Sequence, residues 1–116
     1  MTIKAYQNTQ LIAEDPRQTE YRLFGQVTGA LITAQRSGTT GGPLAEAVDW
    51  NRKLWRTLAA DCLDDRNQLP QELRANIVSL SLWVTKYSKE VTRKGASLDP
   101  LIDVNRTIMQ GLEGAA

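Results

Sequence analysis

The stretch Leu69–Arg93, LPQELRANIVSLSLWVTKYSKEVTR, is the longest run that reads as one element. Leu73, Ile77, Leu80, Val84, Tyr87 and Val91 recur at alternating spacings of four and three. At about 100° per residue these positions form a narrow apolar seam down a helix. Val78 and Leu82 fall on the opposite side and Trp83 on the flank, so the middle turns are apolar nearly all round. A helix of this kind is either central in a bundle or carries a second apolar face for a partner.

Outward from this stretch, the chain breaks into further helical segments. Pro70 opens the helix, and Lys94-Gly95 closes it, with Gly95 at the place that favours a left-handed cap. Before it, Leu63–Leu69 is a polar connector. A helix from Pro43 to about Cys62 precedes that, with Leu44, Ala47, Val48, Leu54, Trp55, Leu58 and Cys62 on one face and Trp50 at the edge. Ser37–Gly42, SGTTGG, lacks the Gly-Lys-Ser/Thr ending of a phosphate-binding loop and reads as a turn between helices.

Asp15-Pro16-Arg17-Gln18 is a helix start, with Asp15 as cap and Pro16 at the first helical position. The helix should run to about Arg36, with Tyr21, Phe24, Leu31 and Ile32 on one side. Leu23, Val27, Ala30 and Ala34 widen that band. Gly25 and Gly29 each cost about 1 kcal/mol against Ala in a helix interior and would admit a closely approaching neighbour. Thr2–Glu14 reads as a short, weakly apolar N-terminal helix. The last helix runs from Ser97 or Asp99 to about Leu112, with Leu98, Leu101, Ile102, Ile108, Met109 and Leu112 inward. No segment alternates with period two. The expectation is an all-α, single-domain bundle over residues 1–116, with four main helices and a short N-terminal one.

The totals limit the function. The chain has 116 residues, 41% hydrophobic and 23% charged, which fits one globular domain. A net charge of +1 gives no global case for nucleic acid or membrane surfaces. One cysteine and no histidine remove an internal disulfide, the usual zinc sites and the Ser-His-Asp triad. Cys62 closes an apolar face with no basic neighbour in sequence and reads as an inert thiol. The carboxylates lie in caps and connectors, without a general acid and base pairing. No catalytic, metal or cofactor site is expected. The N-terminus has no apolar leader core, and no run approaches the ~20 apolar residues that span a bilayer. A cytoplasmic protein is therefore expected.

Two constellations carry more. Asp49-Trp50-Asn51-Arg52 and Asp103-Val104-Asn105-Arg106 open matching ten-residue patterns, and both put an asparagine near the middle of an apolar helix face. A buried amide without partners costs roughly 1–3 kcal/mol. The favoured reading is structural: each amide bonds a carbonyl, a helix end or the other Asn and fixes helix register. The alternative is that they line a groove for a guest segment. On the long helix, Val78 and Leu82 share a stripe with Lys86, Lys89 and Arg93. Cations near a helix C-terminus gain about 0.3–1 kcal/mol from the macrodipole, which is the simpler account. The alternative is an amphipathic partner helix along Val78 and Leu82, with acidic residues meeting the lysines. So few cations, with no aromatic platform among them, argue against direct nucleic-acid binding. Trp50 and Trp83 sit where tryptophan either anchors an interface or packs at a core edge.

The segments Asp15–Leu31 (DPRQTEYRLFGQVTGAL), Asp49–Trp55 (DWNRKLW), Ile77–Val84 (IVSLSLWV) and Pro100–Leu112 (PLIDVNRTIMQGL), with the opening Ala5–Gln7, resemble the FlaF family of flagellar biosynthesis regulators. The resemblance implies a small cytoplasmic factor needed for flagellin production, linked to binding flagellin before export and acting alongside the regulator FlbT. Flagellin's terminal segments are amphipathic and unfolded when free, and a groove that held one would block early assembly. On this reading Leu23, Val27, Trp50, Val78, Leu82 and Trp83 form the contact surface, with Lys86 and Lys89 at its rim. Asn51 and Asn105 form a structural polar core. The alternative is a post-transcriptional regulator working through FlbT or flagellin messenger RNA without touching flagellin.

Overall fold

The computed structural model of the chain describes residues 16–114. Four helices follow one another: α1 (Pro16–Arg36), α2 (Gly41–Cys62), α3 (Gln71–Lys94) and α4 (Asp99–Gly114). Among the described residues there is no strand. The fold is all-α, as the periodicity requires. The expected N-terminal helix at Thr2–Glu14 and the Asp15 cap lie outside the described residues.

The helix ends follow local chemistry. After α1, Gly38 takes a positive φ of 60°, and Thr39 N–H reaches back to Ala34 O at 3.0 Å. A left-handed residue at this point lets the chain close the last carbonyls on itself. α2 begins two residues before Pro43. Gly41, with φ 67°, makes the bend, and Pro43 sits in the first turn where its missing N–H costs nothing. Gly95 takes φ 68°, and Ala96 N–H bonds Glu90 O at 3.2 Å, closing α3 with the left-handed cap that the sequence implies. Ser97 Oγ accepts from Asp99 N–H at 3.1 Å at the start of α4.

The polar connector is anchored from both sides. Asp64 accepts from Arg66 N–H at 2.8 Å, and Asn67 Oδ1 accepts from Leu69 N–H at 2.9 Å, turning Leu69 into the core. Arg74, on the first turn of α3, donates from Nε to Cys62 O at 2.9 Å. One of the carbonyls left open at the end of α2 is thereby satisfied from the next helix.

The helices form a square. α1 packs on α2 and α4, and α3 packs extensively on α2 but lightly on α4. α1 and α3 therefore stand diagonally, as do α2 and α4. The core holds Phe24, Leu31, Val48, Trp55, Leu58, Ile77, Val84, Leu101, Ile108 and Leu112. Phe24 meets Trp55 edge-on, ring centres 5.3 Å apart, a geometry that aligns ring edge with ring face.

The seam of α3 differs from the expected one. Its buried line is Ile77, Ser81, Val84, Ser88 and Val91, with Leu73, Leu80 and Tyr87 half-buried. Two small serines face inward, so the buried axis is turned by about 40° from the line of large apolar residues. Ser88 satisfies its hydroxyl by donating to Val84 O at 2.7 Å. The glycine expectation also changes. A methyl at Gly25 would meet only the end of the Met109 side chain at 3.6 Å, and one at Gly29 would meet nothing within 4 Å. Among the described residues no backbone approaches either glycine.

Candidate partner-binding surface

A polar cluster crosses the centre of the bundle. Asn105 on α4 and Asn51 on α2 are both fully buried. Asn105 Nδ2 donates to Asn51 Oδ1 at 2.7 Å and to Thr28 Oγ1 at 3.1 Å. Asn105 Oδ1 accepts from Trp55 Nε1–H at 2.7 Å, and Thr28 donates onward to Phe24 O at 2.6 Å. Three helices are thus tied by one amide, and the α2–α4 diagonal is joined through side chains alone. These partners fix the orientation of both amides: Asn105 must present oxygen to the indole, so Asn51 must present oxygen to Asn105. Asn51 Nδ2 is left without a partner among the described residues. Both asparagines lie under the core and line no groove. The structural reading of the pair holds, and the guest-segment reading does not. Thr28 was not legible as a member, because a threonine on an apolar stripe looks like any β-branched filler.

Cys62 is buried as well. Desolvation, with Glu20 nearby, pushes its thiol up from the ordinary value, which is the opposite of what a nucleophile needs. Among the described residues no group of carboxylates and cysteine could hold a metal ion.

The proposed contact residues do not form one patch. Val27 is fully buried beside Phe24 and Thr28 on the inner side of α1 and cannot meet a partner. It belongs to the buried interior and not to an open face. Leu23 and Val78 are half-buried. Trp50 is 43% exposed, Leu82 66% and Trp83 37%. Lys86 and Lys89 are exposed. Trp83 lies flat on Tyr87, ring centres 5.0 Å apart and 13° from parallel, and Tyr87 Oη donates to Ser97 O at 2.6 Å. Leu80, Trp83, Pro100, Asp103 and Val104 line an open trough over the lightly packed α3–α4 seam. Leu82, one residue before Trp83 and about 100° round the helix from it, is not among the residues lining that trough. On the far side of α3, a groove of ≈ 490 Å³ runs between α2 and α3, with Val48 and Arg52 on one wall and Thr85, Ser88 and Lys89 on the other. Trp50 lines neither depression.

The described surface is therefore that of a small helical protein with a polar-stapled core and large apolar side chains left open at Tyr21, Trp50, Leu63, Leu82 and Trp83. Residues 2–112 match the family described as flagellar protein FlaF, and the chain belongs to that family. No curated protein and no solved structure is detectably similar to it. No helix among the described residues is long and apolar enough to cross a membrane.

Proposed function

We propose that this flagellar protein is a cytoplasmic export chaperone that holds an amphipathic terminal segment of flagellin against α3. The observation that carries the reading is the pair Leu82 and Trp83, 66% and 37% exposed in a chain this short. Covering a leucine side chain of that exposure stabilises a complex by about 1–2 kcal/mol. Trp83, held flat by Tyr87, is a rigid aromatic whose ordering entropy is already spent, the property that distinguishes interface anchors.

Co-purification with flagellin, followed by sizing of the complex, tests the reading. Folded Trp83→Ala and Leu82→Asp variants should each weaken flagellin binding by roughly ten- to a hundredfold. Undiminished affinity in Leu82→Asp would remove this face from the reading. Failure of the wild-type chain to associate with flagellin would remove the chaperone role and leave action through FlbT or messenger RNA.

A further inference from the structure

The outer side of α3 carries an ordered stripe whose charge is unspent. Along it Val78 and Leu82 are followed by Lys86, Lys89 and Arg93. Most cations nearby are already matched: Lys94 bridges Glu90 at 3.3 Å, and Arg52 and Lys53 bridge Asp49 at 2.6 and 3.0 Å. Lys86, Lys89 and Arg93 are exposed and have no ion-pair partner among the described residues. Lys89 also lines the α2–α3 groove, where Asp49 is committed to Arg52 and Lys53 and Glu46 makes no bridge to it. The macrodipole of α3 explains cations in its last turn, but the favourable effect fades within that turn. Lys86 lies two turns before the end, beyond its reach.

We propose that this stripe receives one amphipathic helix, acidic in its first turns and apolar in the next ones, docked antiparallel to α3. The inference rests on the chaperone reading, with flagellin as the source of that helix. The direction follows from electrostatics. Carboxylates opposite Lys86, Lys89 and Arg93 are needed to neutralise the cations, and carboxylates favour the N-terminal turn of their own helix. A guest with its N-terminus over Lys86–Arg93 and its apolar turns over Leu82 and Val78 satisfies both demands, and it runs opposite to α3. A parallel guest would place its carboxylates at its own C-terminus, where the dipole opposes them.

Two measurements test this with full-length protein and purified flagellin. In the first, Lys86→Glu with Lys89→Glu, both exposed and harmless to the core, should weaken flagellin binding by roughly tenfold or more and flatten its salt dependence. In the second, benzoylphenylalanine replaces exposed Ala75 or exposed Thr92, and the crosslinked flagellin residues are mapped. The Thr92 crosslinks should fall N-terminal to the Ala75 crosslinks in the same flagellin segment, about 25 Å of helix apart. Reversed order, crosslinks in unrelated segments, or unchanged affinity in the charge-reversal variant would overturn the docking while leaving the chaperone reading intact. Absence of any wild-type binding would overturn both.

Discussion

Asn51 and Asn105 occupy matching places in the two halves of the chain and are equally buried, yet their replacement should have unequal consequences. Asn105→Leu removes the acceptor for the Trp55 indole N–H and the donor to Asn51 Oδ1. Two buried polar groups then lose their only partner, at about 1–3 kcal/mol each. The added apolar atoms return about 1 kcal/mol. A loss of about 3 kcal/mol is expected, from a total that is about 5–15 kcal/mol for a domain of this kind. Asn51→Leu removes an amide whose own N–H groups are already unpartnered. It frees one N–H of Asn105, whose other N–H keeps Thr28 Oγ1 at 3.1 Å. Two buried unpartnered N–H groups are exchanged for one, so the net change should lie within about 1 kcal/mol of zero. Both substitutions bring similar bulk into one cluster, and the overpacking strain largely cancels in their difference. Urea unfolding, followed by tryptophan fluorescence and helical circular dichroism, measures each. The Asn105 variant should be the weaker by about 2–3 kcal/mol, with a Tm more than about 10 °C below wild type. Equal losses, or a larger loss at Asn51, would refute the assigned hydrogen-bond directions.

Two further predictions concern stability. Gly29→Ala, at an exposed helical position with nothing within 4 Å of the added methyl, should raise stability by about 0.5–1 kcal/mol in the same urea assay. Gly95→Ala should lower it by about 1 kcal/mol, because φ is 68° there and a Cβ meets its own backbone. The third concerns pH. Hydrogen bonds from Arg52 and Lys53 hold the Asp49 carboxyl below the ordinary value of 3.8. A group whose folded pKa is depressed contributes stability that is present above 3.8 and lost as pH falls through the lowered value. An Asp49→Asn variant should therefore differ from wild type in Tm at about pH 5 and converge with it at about pH 2. A constant difference across that range would show that the ion pairs contribute nothing.

The sequence was a good guide wherever a single rule dominated. Gly95 after Lys94 marked the end of α3, and Pro16 and Pro70 marked helix starts, because these residues restrict backbone torsions directly. Trp55 and Asn51 lay on a face whose large apolar neighbours left little freedom. What escaped was set by size rather than polarity. Ser81 and Ser88 are buried on α3, Ser88 beside Val48 and Arg52 of α2, and a count of large apolar residues passes over them, which turns the expected seam toward Leu80 and Tyr87. Val27 is buried for a reason periodicity does not carry: an apolar band half a circumference wide does not tell which of its edges stays open.

That rotation of α3 bears on function. Had Leu73, Leu80 and Tyr87 formed the centre of the seam, Trp83 would have been drawn toward α4 and its side of the helix buried. Because serines let α3 lie close on α2, its α4 side lifts away, and Leu80, Trp83 and Val104 are left lining a trough. Two serines, small and chemically quiet, thereby decide which apolar surface the bundle keeps and which it leaves open. Ser81→Leu tests the point without touching either exposed face. Added bulk at a site only 9% exposed should cost about 1–3 kcal/mol and shift α3 relative to α2, moving the emission of Trp83. Unaltered stability and unaltered emission would mean that the small residues do not set the position of α3.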